Sequence, residues 1–367
     1  MPAGLSHMKK QRNAWIDILR FVFAVLILLF HMTDLKIGGK KTFQVCPDGY
    51  IGVEFFCLVS GFLMAATAAR LGNTDNPDTG TLTLRFIRRK LSVFYPYYVI
   101  AFLFALVTWM IRYKDGSFGL RLTEALWELL LVKGIGLGDS TWLNGAAWYL
   151  SAMIFCMLII FPCLIRKRKL YIYVIAPVAS LLLLAHLYSE GGGFQKNTAY
   201  LGINYWWLFR AFAELNLGCI CYEMSTALSR KNFRGPGKAV LTCAEVALYA
   251  VTVFSAFKTK GDYDYILLAA LLAGVTLSFS GVTYTSRIPS GKASAFLGKF
   301  SLVLYLNHRY WEWLMNAIMP KTGVWPKYPL FLALCTASAF IGILIVDGGK
   351  ALLACRKRKK QAASDPR

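Results

Sequence analysis

The chain has little charge, and acidic residues and histidine are its scarcest chemistry. Of 367 residues only 16% are Asp, Glu, Lys or Arg, 19 are acidic and four are histidine. Soluble domains carry about 25% charged residues, so this chain cannot coat a water-facing surface of its own size. It also lacks a Gly-x-Ser-x-Gly elbow, a His/Cys/Asp grouping at metal-ligand spacing and a glycine-rich phosphate loop. These absences remove the serine-hydrolase, metalloenzyme and nucleotide-loop readings. No repeat of solenoid length, no low-complexity tract beyond the C-terminal tail and no appended soluble domain can be read from it.

What fills the chain instead is apolar: 57% hydrophobic residues, with 15% aromatic. A membrane span takes roughly 20 mostly apolar residues. Such runs predict helices near residues 14–34, 49–69, 93–111, 143–165, 169–188, 205–228, 238–256, 265–285, 296–316 and 329–352. The formal charge of +22 would point to nucleic acid on a soluble fold, but here Lys and Arg lie between spans, so no nucleic-acid partner is expected. Their distribution follows the positive-inside rule with both termini cytoplasmic, which requires an even number of spans. The expected fold is therefore all-α, a polytopic bundle of about ten transmembrane helices in the cell membrane, in contact with membrane lipids.

Residues 1–13 read as a cytoplasmic N-terminal tail, 14–352 as the membrane domain and 353–367 as a basic cytoplasmic tail. Met1 to His7 read as dispensable, with Met8 a candidate start. Lys9, Lys10 and Arg12 resemble a signal peptide's charged leader. The run that follows contains Asp17 and Arg20 and no cleavage site, so it is expected to stay as a first helix. The stretch from Leu122 to Leu131 is too short to cross and is expected as an interfacial or re-entrant element on the outer face. Most of the nine cysteines fall in apolar runs as small packing residues, no disulfide is expected, and Cys46 alone is expected exposed outside.

Ionisable residues inside a span are costly and mark candidate sites. In the first helix, Arg20 and His31 are eleven positions apart, about 20° beyond three turns and about 16 Å along the axis, so they share a face. Asp17, three residues before Arg20, is its helical neighbour. Asp34 reads as a loop carboxylate or as a partner for His31. Glu54 in the second helix needs a partner; Arg210 and Glu214 in the sixth form an i, i+4 pair, a site or a structural ion pair, with Gly218 where a backbone could approach a ligand. His308 follows Ser301 and Tyr305 at helical intervals and is a second candidate site histidine. His186 is expected at an interface and His7 outside any fold.

WIDILRFVFAVLILLFH from Trp15, with ten residues between Arg20 and His31, resembles the signature of the acyltransferase-3 family of integral membrane O-acyltransferases, the bacterial surface-glycan type. GYIGVEFFCLVSGFLMA from Gly49, FIRRKLSVFYPYY from Phe86, WYLSAM from Trp148 and LGKFSLVLYLNH from Leu297 are similar to further family segments, in order along the chain. The resemblance implies transfer of an acyl group, acetyl in the simplest case, to a hydroxyl of a surface glycan or lipid-linked saccharide. Acyl-CoA would be a co-substrate, with no permanently bound cofactor. It implies His31 as catalytic base, Arg20 as its partner and Glu54 at the family's acidic position. Acyl-CoA phosphates cannot enter hydrocarbon, so the donor must dock from inside. Arg85, Arg88, Arg89 and Lys90 form a basic cluster able to grip it, with Arg210 a further donor-binding candidate; the cluster reads equally as positive-inside topology. Where the family often has a second arginine three residues before the proline, this chain has Val93. Two other classes stay open: a transporter, which predicts inverted repeats the sequence does not show, and a membrane ligand-binding module without turnover.

Overall fold

The computed structural model of the chain describes residues 12–32, 44–72, 78–112, 118–135, 143–189, 206–259, 261–319 and 324–364. Among these residues there are eleven α-helices and no β-strand. They are α1 (Ala14–His31), α2 (Ile51–Leu71), α3 (Thr79–Arg112), α4 (Phe118–Leu129), α5 (Ala147–Leu170), α6 (Ala176–Ser189), α7 (Trp206–Ser229), α8 (Gly235–Ala256), α9 (Asp264–Ser280), α10 (Lys292–Ile318) and α11 (Val324–Ser364). Ten of them fall on the ten expected runs, and α4 falls on the short outer stretch. His7, Asp34 and the glycine runs at 38–39 and 191–193, which the sequence marks as turns, lie outside the described residues.

Among the described residues, six stretches are long and apolar enough to cross a membrane: α1, α2, α3, the α5–α6 run, α8 and most of α11. At 17 residues α9 is shorter than the usual span, and α7 and α10 carry buried charged groups where apolar ones would raise their hydropathy. Leu181, Leu182, Val240, Phe254, Ile266, Leu344 and Leu352 are each about two-thirds exposed. Outward apolar side chains on several helices suit lipid and not water, and the chain is a multi-pass membrane protein.

Contacts fix the direction of each long helix. Arg12 donates to the Ala295 carbonyl at 3.1 Å while His31 meets Arg309, so α1 and α10 run parallel. Phe23 stacks on Phe55 and Gly49 packs on Leu26, so α2 returns. Glu54 meets Arg210 and Phe62 meets Tyr222, which makes α7 parallel to α2. Trp148 lies by Trp207 and Arg168 pairs with Glu223, so α5 follows α7, whereas Tyr171 to Asn216 and Ser180 to Ala213 set α6 against it. The chain therefore reverses near the end of α5, at the backbone break of Lys167 (φ −137°, ψ 50°), inside the basic run Arg166 to Lys169. Similar pairs set α3 against α5, α8 against α9 and α11 against α10. With α9 parallel to α2, the ten long helices alternate strictly. Both described chain ends lie at one end of the bundle, called the base; His31 marks the top.

Three expectations change. The third helix begins at Thr79 and not near residue 93, because the Asp78 carboxylate accepts the Thr81 N–H at 3.1 Å and caps it. At 34 residues α3 is about 51 Å long, so it exceeds a hydrocarbon layer of about 30 Å and carries the basic run as helix, not loop. The last helix runs unbroken across the expected boundary at 352–353. Cys46 is buried, not exposed; its thiol donates to the Ala256 carbonyl at 3.3 Å and burial pushes it up to about 12. All nine cysteines are free.

Gly218 also serves a different purpose from the expected one. A side chain on it would collide with the Leu58 carbonyl, and one on Gly61 with the Leu215 carbonyl. The two glycines let α2 and α7 touch backbone to backbone, the small-residue contact of membrane helices, and this close approach sets the register of Glu54 against Arg210.

Candidate active site

Polar side chains gather inside the bundle at two levels. Near the base, Asn13 caps α1 by accepting the Ile16 N–H at 3.2 Å, which puts Asp17 in the first turn where the helix dipole favours an anion. Buried Asp17 accepts from Arg12 and, at 3.3 Å, from Arg20. A side chain at Gly298 of α10 would occupy the carboxylate's place. Arg20 is partly exposed, and Lys90, partly buried on α3, lies within its electrostatic reach. Arg85, Arg88 and Arg89 are exposed. Within the basic cluster expected to hold the donor, Lys90 is thus the partly buried member.

Toward the top, the rings of His31 and His308 lie 4.8 Å apart between centroids, tilted by 31°. Two helices far apart in sequence meet here because α1 and α10 run parallel. Nη1 of Arg309 is 2.8 Å from Nδ1 of His31. Arg309 itself is held by Glu312 and lies over the Trp313 ring at 4.8 Å. Nδ1 of His308 is 2.5 Å from the Tyr305 carbonyl, while its Nε2 is buried and has no hydrogen-bond partner.

Beside the histidines, Arg210 is buried between Glu54 and Glu214, at 2.9 Å from the latter, and lies near the Tyr50 and Trp148 rings. The Tyr50 hydroxyl donates to Asp264 at 2.5 Å. The partner that Glu54 needs is thus Arg210, and Arg210 is engaged by two carboxylates near the top, away from the exposed cations of the base. One oxygen of each carboxylate, Oε2 of Glu54 and of Glu214, has no partner.

The turn before α5 braces this region. Its backbone N–H groups at Leu143 and Asn144 donate to buried Glu128 of α4 at 2.8 and 2.7 Å. The Asn144 amide donates to the Leu306 carbonyl at 2.8 Å, and the Tyr305 hydroxyl to the Ala146 carbonyl at 3.1 Å. The Tyr98 hydroxyl, midway along α3, donates to the Glu128 carbonyl at 2.6 Å, so α4 dips into the bundle while Leu122, Leu126 and Leu130 stay exposed. Burial pushes the Glu128 carboxyl up to about 8, against the pull of the two N–H groups. At the top between α3 and α10, a groove is lined by Trp109, Arg112, Tyr310 and Trp313, among others.

Sequence reasoning singled out His31, Arg20, Glu54, His308 and Arg210 but missed Arg309 as the partner of His31, and missed Glu128 and Asn144 altogether. The i, i+3 pair Arg309–Glu312 was a readable signal, as was an acid inside the apolar stretch of α4.

Alternating apolar helices that enclose ion pairs and a pair of facing histidines define a multi-pass membrane protein with a polar site inside. The acyltransferase domain model of the acyltransferase-3 family matches residues 13–347, and the chain belongs to that family of membrane acyltransferases. No curated protein and no solved structure matches it.

Proposed function

We propose that the chain moves an acyl group, acetyl in the simplest case, from acyl-CoA docked at the base to a hydroxyl of a saccharide at the top. The observation that carries this reading is the His31–His308 pair at the top of the bundle, with Arg20 on the His31 face of α1 about 16 Å toward the base. A hydroxyl is a poor nucleophile near pH 7, and an imidazole within reach removes its proton as it attacks the thioester. At the base, Arg20 and Lys90 offer charge to the donor's phosphates, and the exposed Arg85, Arg88 and Arg89 extend that field outward. This arrangement takes ten crossings with the base in the cytoplasm, which the basic extension of α3 supports. The side chains of Trp109, Arg112 and Trp313 near the top support a saccharide acceptor by their chemistry, because aromatic faces and a guanidinium suit sugar rings and hydroxyls. A surface glycan or a lipid-linked saccharide fits this chemistry.

Purified protein in lipid bilayers, given radiolabelled acetyl-CoA and the saccharide fraction of a cell envelope, tests the reading. Label is expected in the saccharide, and it is expected to fall about 10²- to 10⁴-fold for His31→Ala and for His308→Ala. Wild-type protein that labels no saccharide would refute the proposal. Epitope tags at both termini, digested in sealed vesicles of known orientation, test the sidedness: protection of only one tag breaks the ten-crossing arrangement.

A further inference from the structure

We infer that the two histidines have different tasks, with Nε2 of His308 taking the acceptor's proton and Nε2–H of His31 stabilising the thioester oxygen, and that Arg309 is the residue that enforces the difference. This deepens the acyl-transfer reading and rests on it.

A guanidinium has five donors and no acceptor, so the 2.8 Å contact of Arg309 Nη1 with His31 Nδ1 has one polarity: Nδ1 accepts. The neutral His31 ring then carries its proton on Nε2 and is a donor there. The logic reverses at His308. A carbonyl oxygen only accepts, so the contact at 2.5 Å with Tyr305 places the His308 proton on Nδ1 and leaves Nε2 as a bare lone pair. That nitrogen is buried without a partner, and a buried acceptor of this kind needs a reason. A substrate hydroxyl supplies the missing donor.

Both tautomers are fixed from outside the rings. Glu312 and Trp313 hold Arg309, and a side chain at Gly145 would crowd the Arg309 Nε at 3.2 Å. Tyr305 is held through its hydroxyl by Ala146, and Leu306 by Asn144. The ring centroids are 4.8 Å apart, and in the inferred arrangement one reacting carbonyl lies between the two Nε2 atoms. The acceptor oxygen attacks the thioester carbon and its proton passes to His308 Nε2. The carbonyl oxygen, now negative, accepts the hydrogen bond of His31 Nε2–H. The C–S bond then breaks, the leaving thiolate takes the proton back from His308, and ester and free thiol are released with both rings neutral again. Arg309 touches no reacting atom and is a positioning residue.

Four histidines in the chain make the test direct. Protein labelled with ¹⁵N-histidine, reconstituted in phosphatidylcholine bilayers at pH 8 and assigned by His7→Gln, His186→Gln, His31→Asn and His308→Asn, is read by solid-state NMR. His31 is expected with its proton on Nε2 and His308 with its proton on Nδ1. Arg309→Leu is expected to shift the His31 nitrogens and leave those of His308 in place, and Arg309→Lys to restore the His31 signals in part. In the acetyl-CoA assay, Arg309→Leu is expected to lower kcat about 10²-fold, the scale of a lost oxyanion donor, with the KM for acetyl-CoA unchanged. A protonated Nδ1 on His31, a protonated Nε2 on His308, or an Arg309→Leu spectrum identical to wild type would overturn the inference. Loss of acyl transfer in the wild-type protein would instead sink the functional reading, and the spectra would decide the tautomers independently of it.

Discussion

The base and the top of the bundle treat cations in opposite ways. At the base, Arg85, Arg88 and Arg89 stand exposed on a helix longer than a hydrocarbon layer, and Lys90 lies within the electrostatic reach of Arg20, which is partly exposed beside Asp17. At the top, Arg210 is locked between two carboxylates and Arg309 between a histidine and a carboxylate. Exposed charge costs little and acts through its field, which salt screens. Buried charge costs several kcal/mol per ion unless paired, and acts through geometry. In the proposed reading, one end collects a polyanion and the other orients the reaction.

The sharpest way to separate the ends is His31→Ala, expected to reduce transfer about 10²- to 10³-fold, the scale of a lost oxyanion donor, while the thermal unfolding midpoint stays near wild type. Arg210→Leu comes next. It strands two buried carboxylates and should destabilise the protein by about 3–5 kcal/mol, seen as a large drop in unfolding midpoint or failure to accumulate; a variant as stable as wild type would show that the triad is not a structural pin. Glu128→Gln tests the brace. Burial raises the folded-state value to about 8, above the ordinary carboxyl value of about 4.3, so the folded protein binds the extra proton. Its contribution is complete below about pH 4 and is lost as pH rises through about 8. Wild-type unfolding midpoints should therefore fall between pH 5 and 9, and the Gln variant should flatten that slope. The smallest effects belong to the base. Arg85→Gln, Arg88→Gln and Arg89→Gln together should raise the KM for acyl-CoA only at low salt, whereas Lys90→Gln should raise it at any salt; equal salt dependence would erase the distinction between the inward and outward cations.

The helices were legible in the sequence because apolar run length maps directly onto span length, and ten of eleven helices lie where the runs are. Boundaries failed where a polar residue caps a helix far from the apolar run, as Asp78 does, since exposed basic residues are good helix formers that hydropathy cannot see. Arg20 and His31 were legible because one helix carries both, so spacing alone places them on a common face. His308 beside His31 was not, because nothing local encodes that α1 and α10 are neighbours. Gly218 misled for a related reason: a bare backbone reads as room for a ligand until the opposing Gly61 is known.

The third helix measures as well as spans. From Lys90, within the electrostatic reach of Arg20, to Tyr98, whose hydroxyl holds the Glu128 carbonyl, the chain is continuous α-helix. Separation and rotation between these two points are therefore set by residue count, at about 1.5 Å and 100° each. A single residue inserted between Lys90 and Tyr95 lengthens the interval only slightly, but it turns every basic side chain below by more than a quarter of a circle relative to the tyrosines above. The segment behaves as a key cut to one phase, tolerant of changes in composition and intolerant of changes in length.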